Sequence, residues 1–407
     1  MPTSVRTTVR PVFIVDAIRT PIGKFAGALS RVRTDDLAAH VIAGLAARQP
    51  TVAEHLDQVV FGSTNQAGED NRNVARMALL LAGLPFDVPG VTVNRLCGSG
   101  LEAINDAARM IALGEADCAI AGGVESMSRA PYVMAKSETG FARQAPEIYD
   151  TSLGWRFPNA RMTERFPLIS MGETAENVAK KHSISREDQD GYALASHQKA
   201  AAATEAGAFE AEILPVSVPQ RKGDPITVSR DESIRPDTTL EALARLKPVF
   251  REGGSVTAGN SSPINDGSAA VMLAAGSVVE ALGVTPMARV VTSATVGVDP
   301  SYMGEGPIGA VRKLLKRCGL RTPNVDLVEL NEAFAAQSLA CVRALELDPE
   351  KVNVNGGALA LGHPIGCSGA RIMVTLAHAM QKRDAKIGIA SLCIGVGQGI
   401  ATLVERV

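Results

Sequence analysis

The second half of this chain repeats the first at a fixed shift, which confines the fold to two copies of one unit. Leu56-Asp57-Gln58-Val59-Val60 answers Val325-Asp326-Leu327-Val328-Glu329, Ser99-Gly100 answers Ser368-Gly369, and Ile120-Ala121 answers Ile389-Ala390, each 269 positions later (325−56, 368−99, 389−120). Two copies of one supersecondary unit pack most simply about a pseudo-twofold axis, so equivalent loops meet near that axis. Cys97 of the first copy and His363 of the second both lie in the repeated region around Gly98-Ser99-Gly100 and Cys367-Ser368-Gly369. A thiol and an imidazole from opposite halves are therefore expected as neighbours.

At 407 residues the chain exceeds what one hydrophobic core usually organises, and two or three domains are expected. Apolar content of 46% with 38 glycines and few aromatics suits an α/β protein with tight strand-to-helix turns. A net charge of −2 leaves no basic footprint for nucleic acid and no polybasic membrane signal. The apolar run Met77 to Pro85 is far short of a membrane span, and the first dozen residues lack the apolar stretch of a secretory signal. Arg6 and Arg10 among threonines read as a frayed terminus rather than a transit peptide. Six cysteines without paired short spacing read as reduced thiols of a cytoplasmic enzyme. The scattered histidines and cysteines lack zinc-ligand spacing, so no metal site is expected.

β-branched segments at Pro11 to Asp16, Gln58 to Phe61, Ala119 to Gly122, Leu327 to Leu330 and Lys386 to Leu392 alternate with alanine-rich helical stretches such as Leu101 to Leu113. Continuous apolar strands between helices indicate sheets covered on both faces, hence a layered α/β architecture. Between the copies lies a proline-rich, polar segment from about Met127 to Pro263. One helix is expected there from about Glu173 to Lys181, with Gly172 at its start. Another should follow Ser185-Arg186-Glu187-Asp188, a capping-box start. A long loop-rich insertion in a symmetric core reads as a substrate-covering or assembly subdomain. The resulting division is 1–126 plus 264–286 for the N-terminal half, 127–263 for the inserted subdomain and 287–407 for the C-terminal half.

The asymmetries of the repeat are where chemistry can sit. Cys97, in Asn94-Arg95-Leu96-Cys97-Gly98-Ser99-Gly100, lies just ahead of a helix whose apolar face is Leu101, Ile104, Ala108 and Ile111. Unpaired amides and the dipole at a helix N-terminus favour a thiolate and predict a lowered thiol pKa; the alternative is a small buried packing residue. His363 lies on the glycine-rich turn Asn353 to Pro364 and pairs by the shift with Asn94 (363−269), which suits a base for Cys97, although a lone histidine is also a common structural residue. Cys393 ends a buried strand among Gly395, Gly397 and Gly399, either as a tight turn or as a second proton-transfer group beside backbone amides. Asn331 and Glu332 end another strand, where Asn331 also reads as a helix N-cap.

With Arg95 to Gly100, Ala121-Gly122-Gly123-Val124-Glu125-Ser126-Met127-Ser128, Asn331 to Ala335, Gly362-His363-Pro364-Ile365-Gly366 and Cys393 to Gly399 in this order, the sequence resembles the thiolase family over essentially its whole length. The resemblance implies a thiolase-like duplicated α-β-α-β-α core with an inserted loop subdomain. It implies acyl transfer by ping-pong steps: His363 deprotonates Cys97, which attacks the 3-keto carbon of a 3-oxoacyl-CoA, and Cys393 protonates the departing acetyl-CoA enolate. The amides of Cys97 and Gly395 would form one oxyanion hole, and His363 with a water held by Asn331 the other. It also carries Ser262 to the pantetheine with Ala258 nearby, Arg235 and Phe250 to the nucleotide, and Met171, Met303 and Phe334 to the acyl end. Coenzyme A would be a substrate with no permanently bound cofactor, and a homotetramer built as a dimer of dimers is the implied assembly, without nucleic acid or membrane partners.

Asn65 to Arg76 and Leu153-Gly154-Trp155-Arg156-Phe157 look like the 3-oxoadipyl-CoA thiolases, and Ser170 stands where acetoacetyl-CoA thiolases carry the histidine of a His-Met pair. A dicarboxylyl substrate asks for a cation at its far end, and Arg156, Arg161 and Arg165 are candidates, unless they are ordinary solvated arginines. The alternatives are a general fatty-acid 3-ketoacyl-CoA thiolase or an acetoacetyl-CoA thiolase. Ketoacyl and hydroxymethylglutaryl-CoA synthases pair their cysteine with a second histidine or a glutamate, where this chain has Cys393. A non-catalytic relative should lack Cys97, His363 or Cys393, and all three are present.

Overall fold

The computed structural model describes residues 9–141, 143 and 145–407. The first half contributes strands β1 (Val12–Arg19), β2 (Leu56–Gly62), β3 (Gly90–Val93), β4 (Cys118–Ser126) and β5 (Asn265–Ala275). The second contributes β6 (Ala288–Gly297), β7 (Leu327–Leu330), β8 (Ile387–Ile394) and β9 (Gln398–Arg406). Their order across the sheet is β7-β8-β9-β6-β1-β5-β4-β2-β3. The strands foreseen in the sequence are all present, mostly longer at their ends, because pairing extends them beyond the residues whose side chains announce them.

The shift seen in the sequence reappears as register. β2 runs parallel to β4 with Val59 opposite Ile120, and β7 runs parallel to β8 with Val328 opposite Ile389; both members of the second pair are 269 positions on. β5 and β9 then pair antiparallel with β4 and β8, and β1 meets β6 antiparallel with Val12 opposite Val290. The halves therefore join edge to edge through equivalent strands. β3 breaks the symmetry: the corresponding stretch of the second copy is the short helix Ala358–Leu361, which leads into His363.

The longer helices are α1 (Thr34–Arg48), α2 (Val74–Leu81), α3 (Ser99–Leu113), α4 (Met171–Lys181), α5 (Arg186–Glu205), α6 (Gly306–Cys318), α7 (Ala335–Ala344) and α8 (Ile365–Arg383). One core joins Leu101, Ile104 and Ile111 of α3 and Ile372, Met373 and Leu376 of α8 to strands of both halves, so α3 and α8 form the central layer. α8 buries 14 of its 19 residues, as a helix covered on all sides must. α1 and α2 cover the outer face of the first half, with Leu37, Ile42 and Ala78 against Val59 and Ile120. α6 and α7 cover that of the second, with Leu314 and Cys341 against Val328 and Ile389. The result is a five-layer α-β-α-β-α sandwich.

The two central helices start against each other. A Cβ on Gly100 would lie 2.6 Å from the Ala370 backbone nitrogen, and one on its repeat partner Gly369 would lie 2.3 Å from the Leu101 nitrogen. Only glycine permits this approach, and it brings the residues just before each helix, Cys97 and the His363 turn, to the same place.

The segment between the copies holds more regular structure than its composition announces: hairpins at Tyr132–Met134 with Ile148–Asp150 and Val216–Val218 with Ile226–Val228, and short helices at Ala160–Arg165 and Leu240–Ala244. α5 starts at the foreseen capping box of Ser185 and Asp188. α4 is capped instead by Ser170, whose hydroxyl accepts from Glu173 N, a bond that Gly172 lacks the side chain to make. Arg6 lies outside the described residues. Arg10 is not frayed: its guanidinium donates to Ile111 O at 2.9 Å and pairs with Asp117, fixing the residues just before β1 on the C-terminal end of α3. Among the described residues no helix is long and apolar enough to cross a membrane.

Candidate active site

Cys97 sits on a turn wound tightly by its own sequence. Asn94 Oδ1 accepts from Leu96 N at 2.9 Å, and Ser99 Oγ accepts from Arg95 N while donating to Leu96 O at 2.6 Å. Leu96 takes a left-handed backbone, φ 47°, to present Cys97 one residue ahead of the Gly98 cap of α3. On the opposite wall, Val396 is also left-handed, φ 62°, directly after Gly395. Such backbones cost a non-glycine residue roughly 1–3 kcal/mol each and persist only where the surroundings impose them. Here they aim the amides of Gly395 and of Cys97 itself at the Cys97 sulfur.

The helix-end argument from sequence expects a lowered Cys97 pKa. The structure reverses the sign: burial pushes the thiol up, the Gly395 and Cys97 amides pull it back, and the Glu125 carboxylate adds to the rise. Desolvation outweighs the dipole because the turn packs against the core that α3 and α8 form with strands of both halves. Cys97 therefore rests as a thiol, and a base has to take its proton. Cys393, fully buried at the end of β8, is pushed well above the ordinary thiol range by burial and by Cys97. It too holds its proton.

His363 is placed by three contacts. Its amide donates to Asn265 Oδ1 at 2.9 Å, and its Nδ1 lies 2.6 Å from Ser368 Oγ. Ser368 Oγ donates to Pro364 O at 2.9 Å. A carbonyl can only accept, so the single hydroxyl hydrogen is used there and His363 Nδ1 carries the proton donated to Ser368. That leaves Nε2 as the lone pair. Burial first, and the Arg371 cation second, lower the imidazole from 6.5 to about 4, so it is neutral. Nε2 lies 3.5 Å from Asn331 Nδ2, while the fully buried Asn331 Oδ1 has no partner among the described residues. Asn331 is not a helix cap, because Phe334 occupies the N-cap of α7. Its side chain belongs to the site.

Glu125, the acid of the Ala121 to Ser128 segment, ties the halves beneath the sulfurs. It accepts from Thr64 N at 3.1 Å, from Thr64 Oγ1, from Asn65 N at 3.2 Å and from Gly366 N at 2.8 Å, and burial raises its pKa. Sequence reasoning assigned no role to Glu125, Ser368 or Asn265. The repeat offered one signal: Ser99 and Ser368 are equivalent, and each bonds the turn in front of its helix.

The other expected residues fall into two groups. Met171, Met303 and Phe334 pack in one cluster with Cys393, and Met171 Sδ would lie 3.6 Å from a Cβ on Gly395. Phe250 joins them, its ring edge-on to Phe334 at 6.2 Å and laid over Gly172, so it borders the Cys393 cluster. Ser262 donates its amide to Ala333 O at 3.0 Å, next to that cluster, with Ala258 exposed nearby in the chain. Arg235 is exposed farther out; its amide donates to His197 Nδ1 at 3.2 Å, and His197 is itself lowered to about 4 by burial and by Arg235.

The family model described as "Thiolase, N-terminal domain" matches residues 12–277, and "Thiolase, C-terminal domain" matches 284–406. The chain is 58% identical to a beta-ketoadipyl-CoA thiolase of Pseudomonas aeruginosa over 98% of this chain and 100% of that one. It is 54% identical, with the same coverage, to a 3-oxoadipyl-CoA/3-oxo-5,6-dehydrosuberyl-CoA thiolase of Escherichia coli. Among solved structures, human mitochondrial 3-ketoacyl-CoA thiolase in complex with CoA superposes with a TM-score of 0.91 at 42% identity, over 99% of this chain and 100% of that one.

Proposed function

The chain belongs to the thiolase family of acyltransferases, and on that footing we propose that it carries out CoA-dependent thiolysis of 3-oxoadipyl-CoA to succinyl-CoA and acetyl-CoA. The observation that supports this chemistry is the contact of the two helix starts, which carries a protonated Cys97 under two amides with Cys393 beside it, and the turn of a neutral His363 whose Nε2 keeps its lone pair, toward one place. His363 Nε2 takes the Cys97 proton and the thiolate attacks the 3-keto carbon. The amides of Cys97 and Gly395 hold one developing oxyanion; His363, with a water on Asn331, holds the other. The bond between C2 and C3 breaks, its electron pair passes to the acetyl-CoA enolate, and Cys393 protonates that carbon. CoA then gives up its thiol proton to the Cys393 thiolate and takes the acyl group from Cys97, which leaves as a thiolate and recovers its proton from His363 Nε2, regenerating the enzyme.

Substrate assignment rests on the names of the two relatives, both acting on dicarboxylyl-CoA esters, together with the absence of the His-Met pair at Ser170-Met171. Ser262, Ala258, Arg235 and Phe250 are assigned to CoA, and Met171, Met303 and Phe334 to the acyl chain. The domains are drawn at 1–126 plus 264–286, 127–263 and 287–407, and the assembly as a homotetramer in the cytoplasm, where its six free cysteines stay reduced.

The test is kcat/KM for 3-oxoadipyl-CoA, acetoacetyl-CoA and 3-oxohexanoyl-CoA, with mass spectrometry of the enzyme after one turnover. A clear preference for 3-oxoadipyl-CoA and a succinyl adduct on Cys97 are expected. Equal rates on the three esters would remove the substrate assignment, and full turnover by Cys97→Ser would remove the mechanism.

A further inference from the structure

We infer that Arg156 is the residue that reads the distal carboxylate of the acyl chain, an inference that rests on the dicarboxylyl-CoA reading above. The stretch from Thr151 to Phe157 bridges the two walls of the Cys97 site. At one end Asn65 Nδ2 donates to Thr151 Oγ1 at 2.8 Å. Asn65 follows Thr64, whose carbonyl accepts from Asn94 Nδ2 at 3.1 Å, and Asn94 builds the Cys97 turn. At the other end Trp155 Nε1 donates to Ile169 O at 3.1 Å, two residues before Met171, the side chain against Gly395. A strap fixed to the nucleophile's turn on one side and to the oxyanion wall on the other has to pass the acyl end of the site. Arg156 is the cation on that strap.

Three observations separate it from Arg161 and Arg165. Arg156 is partly buried, while the other two are exposed on the helix Ala160–Arg165, which buries none of its residues. Its Nη1 donates to Thr151 O at 3.3 Å, holding the guanidinium back toward the anchored end of the strap. Among the described residues no carboxylate pairs with it, although most of the chain's partly buried arginines, such as Arg95, Arg129 and Arg186, have acid partners. A partly desolvated cation left without an anion is a costly arrangement unless a ligand supplies one. The far carboxylate of a 3-oxoadipyl chain lies three carbons beyond the carbon that Cys97 attacks, and a planar guanidinium binds it through two parallel hydrogen bonds.

The experiment compares kcat/KM for 3-oxoadipyl-CoA with that for 3-oxohexanoyl-CoA, which has the same chain length without the charge, in the native enzyme and in Arg156→Gln, Arg156→Lys, Arg161→Gln and Arg165→Gln. Loss of a charge-assisted contact is expected to lower the Arg156→Gln preference for the dicarboxylyl ester by on the order of 10–100-fold, with KM carrying most of the change. Arg156→Lys should recover part of it, and the other two variants should keep the native ratio. Retention of the preference by Arg156→Gln, or an equal loss on both esters, would overturn the inference while leaving the substrate reading intact. A native enzyme with no preference between the esters would overturn both. If Arg156→Gln does not fold, Arg156→Lys decides: a native ratio in Arg165→Gln beside a weakened one in Arg156→Lys supports the assignment, and the reverse defeats it.

Discussion

A buried imidazole with a protonated Nδ1 is a base that stays available over a wide pH range. His363 has its proton affinity lowered from 6.5 to about 4, so it remains neutral until the pH falls toward 4, and only then is the lone pair on Nε2 lost. We expect kcat/KM to be flat between about pH 5.5 and 8, with no limb at the ordinary histidine value; a limb centred near 6.5 in the pH profile would contradict the burial argument. The same shift bears on stability. Because the folded state holds this proton more weakly than the unfolded chain, the stabilisation is complete above about pH 6.5 and drains away as pH falls through the folded value, a contribution of about 3 kcal/mol. His197, lowered to about 4 for the same reason, acts in the same direction. Cys393, which holds its proton through burial, separates the two half-reactions. Cys393→Ser should still let Cys97 accept an acyl group from an acyl-CoA donor while losing carbon–carbon cleavage of a 3-oxoacyl-CoA, as seen by intact-mass analysis beside a thiolysis assay. The serine alcohol is too weak an acid for the enolate, so undiminished thiolysis would exclude Cys393 as the donor.

At the scale of elements, the site depends on two helix starts touching. α3 shows its apolar face in the sequence and α8 is buried nearly all round, yet their closeness comes from two positions without side chains. Gly369→Ala would set a methyl 2.3 Å from Leu101 N, a contact that requires the helices to separate. The expected cost is about 3 kcal/mol, at the high end for overpacking because the obstacle is backbone rather than a movable side chain. Thermal denaturation should show a fall in Tm, and activity should fall further than stability alone requires, since Cys97 and His363 sit at the ends of the two helices. An alanine variant with native Tm and native kcat would show that the start of α8 is not held there. The α4 cap carries a smaller lesson about the same scale. Ser170 and Gly172 are both plausible starts by type, and only the hydrogen bond to Glu173 N distinguishes them.

For the whole molecule, the inserted segment remains the part with least to bury. Its first hairpin exposes Tyr132 at 75%, Met134 at 61% and Ile148 at 62%, and Phe141 beyond it at 95%. Large apolar side chains gathered on one projecting hairpin are stable in water when a second copy covers them. Met134→Glu with Ile148→Glu should therefore lower the assembled mass measured by light scattering from the proposed tetramer toward a dimer; an unaltered mass would place the contact elsewhere. How much was legible before folding differs by region. The repeat could be read from one chain because each copy must bury the same faces, so Val59 and Ile120 recur as Val328 and Ile389, and with them came the layered α/β class, the presence of the strands though not their ends, and Cys97, His363, Asn331 and Cys393 as candidates. The partners that tune those residues could not be read. Asn265, Glu125, and Ser368 with Arg371 reach the site from three different elements, β5, β4 and α8, and apart from the equivalence of Ser368 to Ser99 no spacing in the sequence ties them to Cys97. The sign of the Cys97 shift was likewise a tertiary matter. A helix end is a local feature that lowers a thiol pKa, whereas burial against a core shared by both halves is a property of the assembled layers, and here the second effect is the larger.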